Sequence, residues 1–184
     1  MKRKTEGGKA AFPRICVLRL GHRIERDKRL STHCGLAARA LGAEKLVYSG
    51  QRDSGLEESI DSVTMQWGGP FQIEYAENPM KVIRNWKDKK VHLTMYGLPV
   101  QKKIQEIRKV KNLLVVVGGE KVPPEVYQEC DWNIQVTGQP HSEVSALAVF
   151  LHEYFQGKEL EKKYRKAEKI IVPQERGKKV LEKN

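Results

Sequence analysis

The chain has 184 residues, 39% of them hydrophobic, which is enough to bury a core and short of the size at which cores divide. One globular unit is therefore expected. Lysine and arginine number 34 against 23 acidic residues, and the excess lies at the ends: residues 1–14 carry five basic side chains and one acidic, residues 158–184 carry ten and five. Such basic arms suit phosphate contacts with a nucleic acid, the alternative being solvated tails that aid solubility. Cys16, Cys34 and Cys130 are odd in number and lack a CxxC spacing, so neither a disulfide framework nor a metal site is signalled. No stretch reaches the roughly 18 consecutive apolar residues of a membrane span, and no apolar leader follows Lys2, Arg3 and Lys4, so a cytoplasmic protein with no membrane partner is expected.

Residues 1–14, with Gly7, Gly8 and Pro13, read as a basic flexible extension ahead of an α/β body at 15–157. Periodicity predicts a strand at 15–20, a helix at 31–41, a strand at 46–48, a helix at 56–67, an extended stretch at 71–75 and a short helix at 79–86. A strand at 91–95 follows, then a helix at 99–110 opened by Pro99, with Val100, Ile104, Ile107 and Val110 spaced by four and three. Leu113 to Val117 is apolar at every position and β-branched at three, which is the pattern of a central parallel strand covered on both faces. Strands alternating with helices make a mostly parallel sheet flanked by helices the natural solution. The helix after His141 carries Val144, Ala146, Leu147, Ala148, Val149, Phe150 and Leu151, so it is apolar almost all round. Such a helix is either internal or packed on a second copy of the chain. In the basic segment at 158–184, Ile170 to Val172 and Val180 to Leu181 flank Pro173 and Gly177 as a small β-hairpin.

Three strand exits concentrate the loop chemistry: HLTMYGLP at 92–99, VVVGGEKVPP at 115–124 and IQVTGQPHSEVSALAV at 134–149. Open α/β sheets bind ligands outside the carboxyl ends of their strands, so the three exits suggest one composite pocket. Neither GxxxxGK[ST] nor GxGxxG is present. Gly118 and Gly119 permit a tight turn, the favoured reading, or close backbone approach to a planar ligand. Ser142 is placed to cap the helix that follows, and His141 reads as a hydrogen-bonded residue beside that cap rather than a base. The first strand runs into LRLGHRIERDKRLSTH, where Arg19, Arg23, Arg26, Lys28 and Arg29 fall within 11 residues against Glu25 and Asp27. Arginines at a strand exit can hold phosphates bidentately, or form a solvated surface neutralised by those two carboxylates.

The strings LRLGHRIERDKRLSTH, KVHLTMYG, VGGEKVPPEVY and GQPHSEVSALAV, in this order, resemble the archaeal tRNA cytidine-56 2′-O-methyltransferases, a SPOUT-class family. SVTMQWGGPF and IVPQERGKK stand in register around them, so the likeness spans most of residues 15–180. It implies an α/β sheet with a deep trefoil knot, a homodimer, tRNA as substrate and S-adenosylmethionine as cofactor. Carried over by position, the cofactor site comprises Leu93, then Gly118, Gly119, Glu120, Lys121 and Val122, then Val136, Thr137, Gly138, Gln139, Pro140, His141, Ser142 and Glu143. The catalytic arginine corresponds to Arg29, with Arg19, Arg23 and Arg26 as further tRNA contacts. The chain departs from the family where Thr137 and Gly138 replace glycine and asparagine, where HSEVS replaces an asparagine-bearing segment, and in its basic leader.

Methylation of a ribose needs the 2′-hydroxyl in line with a sulfonium methyl, and positioning supplies much of the acceleration. Arginine stays protonated, so Arg29 is expected to orient phosphate and ribose and to stabilise developing oxyanion charge rather than to take the proton. Two other readings stay open on residue chemistry alone: a non-catalytic RNA-binding or assembly module, and methylation of a base instead of a ribose.

Overall fold

The computed structural model describes residues 13–119 and 121–183; the expected basic extension lies almost wholly outside the described residues. Six strands form one sheet, every neighbouring pair parallel: β1 (Arg14–His22), β2 (Lys45–Gly50), β3 (Gln72–Tyr75), β4 (Lys89–Pro99), β5 (Asn112–Val117) and β6 (Trp132–Gln135). Their spatial order is β3-β2-β1-β5-β4-β6. The apolar run Leu113 to Val117 is the interior strand its composition predicts, lying between β1 and β4 with all five side chains buried. Because β1 is flanked by β2 on one side and by the late strand β5 on the other, the winding reverses beside it. The carboxyl ends of β1, β5 and β4 therefore open onto a crevice.

Helices cover both faces. On one side α1 (Ile24–Ala40), α2 (Ser54–Trp67), α4 (Val100–Ile107) and α6 (Glu143–Phe155) enclose a core that includes Leu46, Ile60, Ile104, Leu113, Leu147 and Phe150. On the other, α3 (Pro79–Asn85) and α5 (Pro124–Glu129) cover Leu18, Val47, Leu114 and Val116 through Ile83 and Val126. The apolar character of α6 is satisfied inside the chain: Ala146, Leu147, Phe150, Leu151, Tyr154 and Phe155 are buried, and Val149 is 45% exposed.

Two boundaries depart from the periodicity, and the C-terminal hairpin forms as expected. The helix expected to begin at Ser31 begins at Ile24, so Arg26 and Arg29 stand on its first turns rather than in a loop. Its start is hard to see because the N-cap, Arg23, makes no side-chain capping bond and the first turn is charged rather than amphipathic. The strand expected to end near Met95 runs on to Pro99, which caps α4 instead of opening it. Chain residues 158–183 begin with a 3₁₀ turn (Lys158–Glu161) and end in an antiparallel hairpin of β7 (Lys169–Ile171) and β8 (Val180–Glu182). Between them Tyr164 donates to the Arg39 carbonyl, the Arg39 guanidinium lies 4.7 Å over the Tyr164 ring, and Gly69 and Arg165 exchange backbone hydrogen bonds.

Candidate functional site

A cleft of about 490 Å³ opens where β1, β4 and β5 end and α6 begins, within the range of small-molecule sites. Four segments line it: Arg23, Arg26, Asp27 and Leu30 from the entry to α1; His92 to Tyr96 from β4; Val117, Gly118, Gly119, Val122 and Tyr127 around the exit of β5; Pro140, His141, Glu143 and Ala146 at the start of α6. The three exits named from the sequence thus meet in one place.

The β4 wall arises from a slip in register. Leu93 and Leu98 both lie opposite Ile134 of β6, so the chain leaves the ladder after Leu93, loops through Thr94, Met95, Tyr96 and Gly97, and returns to the same partner. That excursion leaves Tyr96 81% exposed on the cleft wall. Gly97 makes the return possible, since a Cβ there would stand 2.4 Å from the Asn133 carbonyl carbon and oxygen. At the β5 exit Gly118 and Gly119 have no positive φ, so a left-handed turn is not why glycine is there. A Cβ on Gly118 would meet the Val122 side chain at 2.7 Å, and one on Gly119 would meet a Glu143 carboxylate oxygen at 3.4 Å. Glycine at Gly118 thus answers to close packing against Val122, while at Gly119 a side chain would meet only ordinary contact.

Beneath the cleft lies an ionic network. Arg19, expected as a surface tRNA contact, is only 2% exposed. Its Nη2 stands 3.9 Å from Asp27 and 3.9 Å from Glu143, and its Nη1 donates to the Leu20 carbonyl at 3.2 Å. A buried guanidinium needs counter-charges, and each such contact is worth about 4 kcal/mol at an intermediate dielectric before desolvation is subtracted. Arg19 therefore links β1, α1 and α6 from below, and the phosphate-contact reading is withdrawn for it. Arg23 donates from Nε to Asp27 at 3.0 Å. Burial pushes the Asp27 pKa up, but that bond and the charges of Arg19 and Arg23 outweigh it and hold the carboxyl below its ordinary 3.8.

Two histidines are enclosed next to the cleft. His92 donates from Nδ1 to Asn133 Oδ1 at 2.9 Å, a tautomer fixed because the Asn133 amide donates to the Tyr127 carbonyl. Its Nε2 is consequently a buried lone pair, with no partner among the described residues. His22, fully buried, donates from Nε2 to Asp53 at 3.3 Å and accepts from Ser31 at Nδ1 at 2.7 Å. Asp53 also caps α2 through Leu56 N–H, so this trio ties the body of α1 and the start of α2 to β1. Burial, the largest influence, lowers both imidazole pKa values from 6.5, and the bonds to Asp53 and Asn133 only partly offset it. The unfolded chain then takes up protons before the folded chain does, so this stability is complete above pH 6.5 and is lost as pH falls below it. Urea midpoints are expected to drop between about pH 7.5 and about pH 5.5, and to drop less in a His22→Gln, His92→Gln double variant; equal slopes in the two proteins would contradict this.

Of the positions carried over by resemblance, Leu93, Gly118, Gly119, Val122, Pro140, His141 and Glu143 line the cleft, as do Arg23 and Arg26. Lys121, Val136, Thr137, Gly138, Gln139 and Ser142 lie in the flanking loops without lining it, Ser142 capping α6 through Ser145 N–H at 3.2 Å. Glu120 lies outside the described residues. Arg29 is exposed on α1 but on the flank beside the Arg23, Arg26, Asp27 and Leu30 stripe. Sequence reasoning read Asp27 only as a neutralising carboxylate and missed Leu30 and Tyr127 as cleft residues; for Tyr127 the signal was available, as an aromatic three residues past the Pro123 and Pro124 pair that starts α5. Among the described residues no group of three acidic, cysteine or histidine side chains could hold a metal, and no helix is long and apolar enough to cross a membrane.

Comparison with known proteins shows the fold and the family. Solved structures with the same fold include the TrmH/SpoU tRNA modifying enzyme of A. aeolicus (TM-score 0.57, 19% identity, 80% of this chain and 76% of that one). Another is the SpoU methyltransferase AviRb of Streptomyces viridochromogenes in complex with the cofactor AdoMet (TM-score 0.56, 16% identity, 80% and 58%). At this identity they speak to the fold, which is that of the SPOUT methyltransferases. In sequence the chain is 52% identical over 174 residues to the tRNA (cytidine(56)-2′-O)-methyltransferase of Thermococcus kodakarensis, covering 91% of this chain and 97% of that protein. It is 49% identical over 172 residues to the Pyrococcus horikoshii protein of the same name, covering 91% and 85%. The family described as tRNA ribose 2′-O-methyltransferase, aTrm56, matches residues 67–181, and the chain belongs to that family.

Proposed function

We propose that this protein transfers a methyl group from S-adenosylmethionine to the ribose 2′-hydroxyl of cytidine 56 in tRNA, acting in the cytoplasm as a homodimer with its cleft loops threaded as a trefoil knot. The observation that carries the reading is the cleft itself: glycine and proline loops from β4, β5 and the start of α6 converge on it, and Arg23 and Arg26 at the entry to α1 share its lining. A binding module needs the arginines but has no use for the loops. The sequence relatives that match over nine-tenths of the chain carry this activity in their names.

The cofactor fits the residues present. Gly118 and Gly119 present backbone to the cleft without side chains, and Leu93 and Val122 offer apolar cover. Glu143 and Asp27 set negative charge near a donor whose sulfonium is positive. In the loop before α6, Thr137 Oγ1 accepts from the Gln139 N–H and Ser142 caps the helix, which holds that loop in shape. When bound, S-adenosylmethionine supplies an electrophilic methyl group. Arg23 and Arg26 contact the tRNA backbone at the mouth, and Arg29, on the neighbouring flank of α1, reaches the incoming ribose and its phosphate from outside the cofactor pocket. The remaining exposed stripe of α6, Ser145, Val149 and His152, is the face offered to a second copy.

Calorimetry is expected to show saturable binding of S-adenosylmethionine at one site per chain, on a protein that sediments as two copies. Absence of heat at saturating donor would overturn the cofactor assignment, and a monomer at micromolar concentration would overturn the dimer.

A further inference from the structure

Four side chains lining the cleft could in principle accept the proton that the ribose hydroxyl must lose: Asp27, Glu143, His92 and His141. Asp27 is engaged by Arg23 and faces Arg19, and those charges keep it a weak base. Glu143 faces the same buried Arg19. His92 Nε2 carries a lone pair, but the residue is fully buried and offers that nitrogen no surface. His141 differs from all three. It is exposed at the cleft mouth, on the last loop before α6, and its Nδ1 lies 2.6 Å from the Gln139 carbonyl oxygen. A carbonyl can only accept, so Nδ1 bears the hydrogen and Nε2 is bare in the neutral ring. The Nδ1–H bond to that carbonyl persists when Nε2 takes up a proton, so the ring keeps its orientation.

Resting on the function proposed above, we infer that His141 is the proton acceptor for the methyl transfer. The ribose O–H bond breaks and its proton passes to His141 Nε2; the ribose oxygen forms a bond to the methyl carbon, and the carbon–sulfur bond breaks with its electron pair going to sulfur. The proton then leaves to solvent from the exposed ring. Charged groups facing this mouth are Arg23, Arg26 and Asp27 from α1 and Glu143 from α6. The two arginines draw a phosphate in beside the imidazole without competing for the proton, since arginine is protonated throughout. Gln139 thereby acts through His141, as the residue whose carbonyl sets the ring.

Two measurements test this. In the protein alone, ¹⁵N spectra of the neutral His141 ring are expected to show the Nδ1–H tautomer; an Nε2–H tautomer would overturn the assignment without reference to activity. In single-turnover transfer at saturating S-adenosylmethionine and tRNA, His141→Ala is expected to be slower by about 10²-fold or more, with rate restored by added imidazole. His141→Asn, which can still donate to the Gln139 carbonyl, is expected to be as slow as His141→Ala. Wild-type rates in either variant, or a loss explained by weakened cofactor binding and not recovered with imidazole, would sink the proposal. Inactivity of the wild-type protein would instead sink the functional reading beneath it, so the two failures are distinguishable.

Discussion

Arg29→Ala is expected to lower methyl transfer to tRNA by about 10²- to 10³-fold, the range for removal of one donor to a developing oxyanion, while S-adenosylmethionine binds as in the wild type. The reasoning is positional. Arg29 is exposed on α1 and absent from the cleft wall formed by Arg23, Arg26, Asp27 and Leu30, so its loss leaves the cofactor pocket intact. Its charge cannot be replaced by proton chemistry elsewhere, because a guanidinium offers fixed bidentate donors that neither water nor a lysine ammonium reproduces. Arg29→Lys is accordingly expected to recover only part of the rate. Single-turnover kinetics separate this from a binding defect. Wild-type turnover in Arg29→Ala, or an equal loss of cofactor affinity, would remove the role assigned to it.

The second large effect is expected at a residue with no chemistry of its own. Gly97→Ala would place a methyl group 2.4 Å from the Asn133 carbonyl and 2.5 Å from the Ile134 nitrogen, both backbone atoms of β6. Side chains can swing aside from such a contact; a strand held in a parallel ladder cannot. The return of β4 to Ile134 at Leu98 should be forced open, costing about 3 kcal/mol or more and carrying Thr94, Met95 and Tyr96 out of the cleft. Urea unfolding and cofactor calorimetry on the same variant read the two consequences. A variant with unchanged midpoint and unchanged affinity would show that the register slip is not what builds this wall.

These residues also mark where sequence reading succeeds and stops. Leu113 to Val117 and the spacing of Val100, Ile104 and Ile107 declare their environments because burial is imposed locally by strand and helix geometry. The gathering of three strand exits is legible too, since the winding rule for parallel sheets brings carboxyl ends together. The β4 excursion is not, because Thr94 to Pro99 reads as loop chemistry and its return to Ile134 is a pairing between distant parts of the chain. Arg19 misleads for a similar reason. An arginine in a cationic cluster looks solvated, and only folding brings Glu143 within 3.9 Å of it. The tautomers of His92 and His141 depend on which oxygen each ring meets, Asn133 Oδ1 and the Gln139 carbonyl, and no periodicity carries that information.

Every role assigned above requires one cleft in which a methyl donor meets a ribose of tRNA. Transfer of labelled methyl from S-adenosylmethionine to unmodified tRNA, followed by digestion and mapping of the acceptor, tests it most directly. Label in 2′-O-methylcytidine at position 56 is the predicted result. Label in a base, at another nucleotide, or nowhere at all with a folded, cofactor-saturated protein would contradict it.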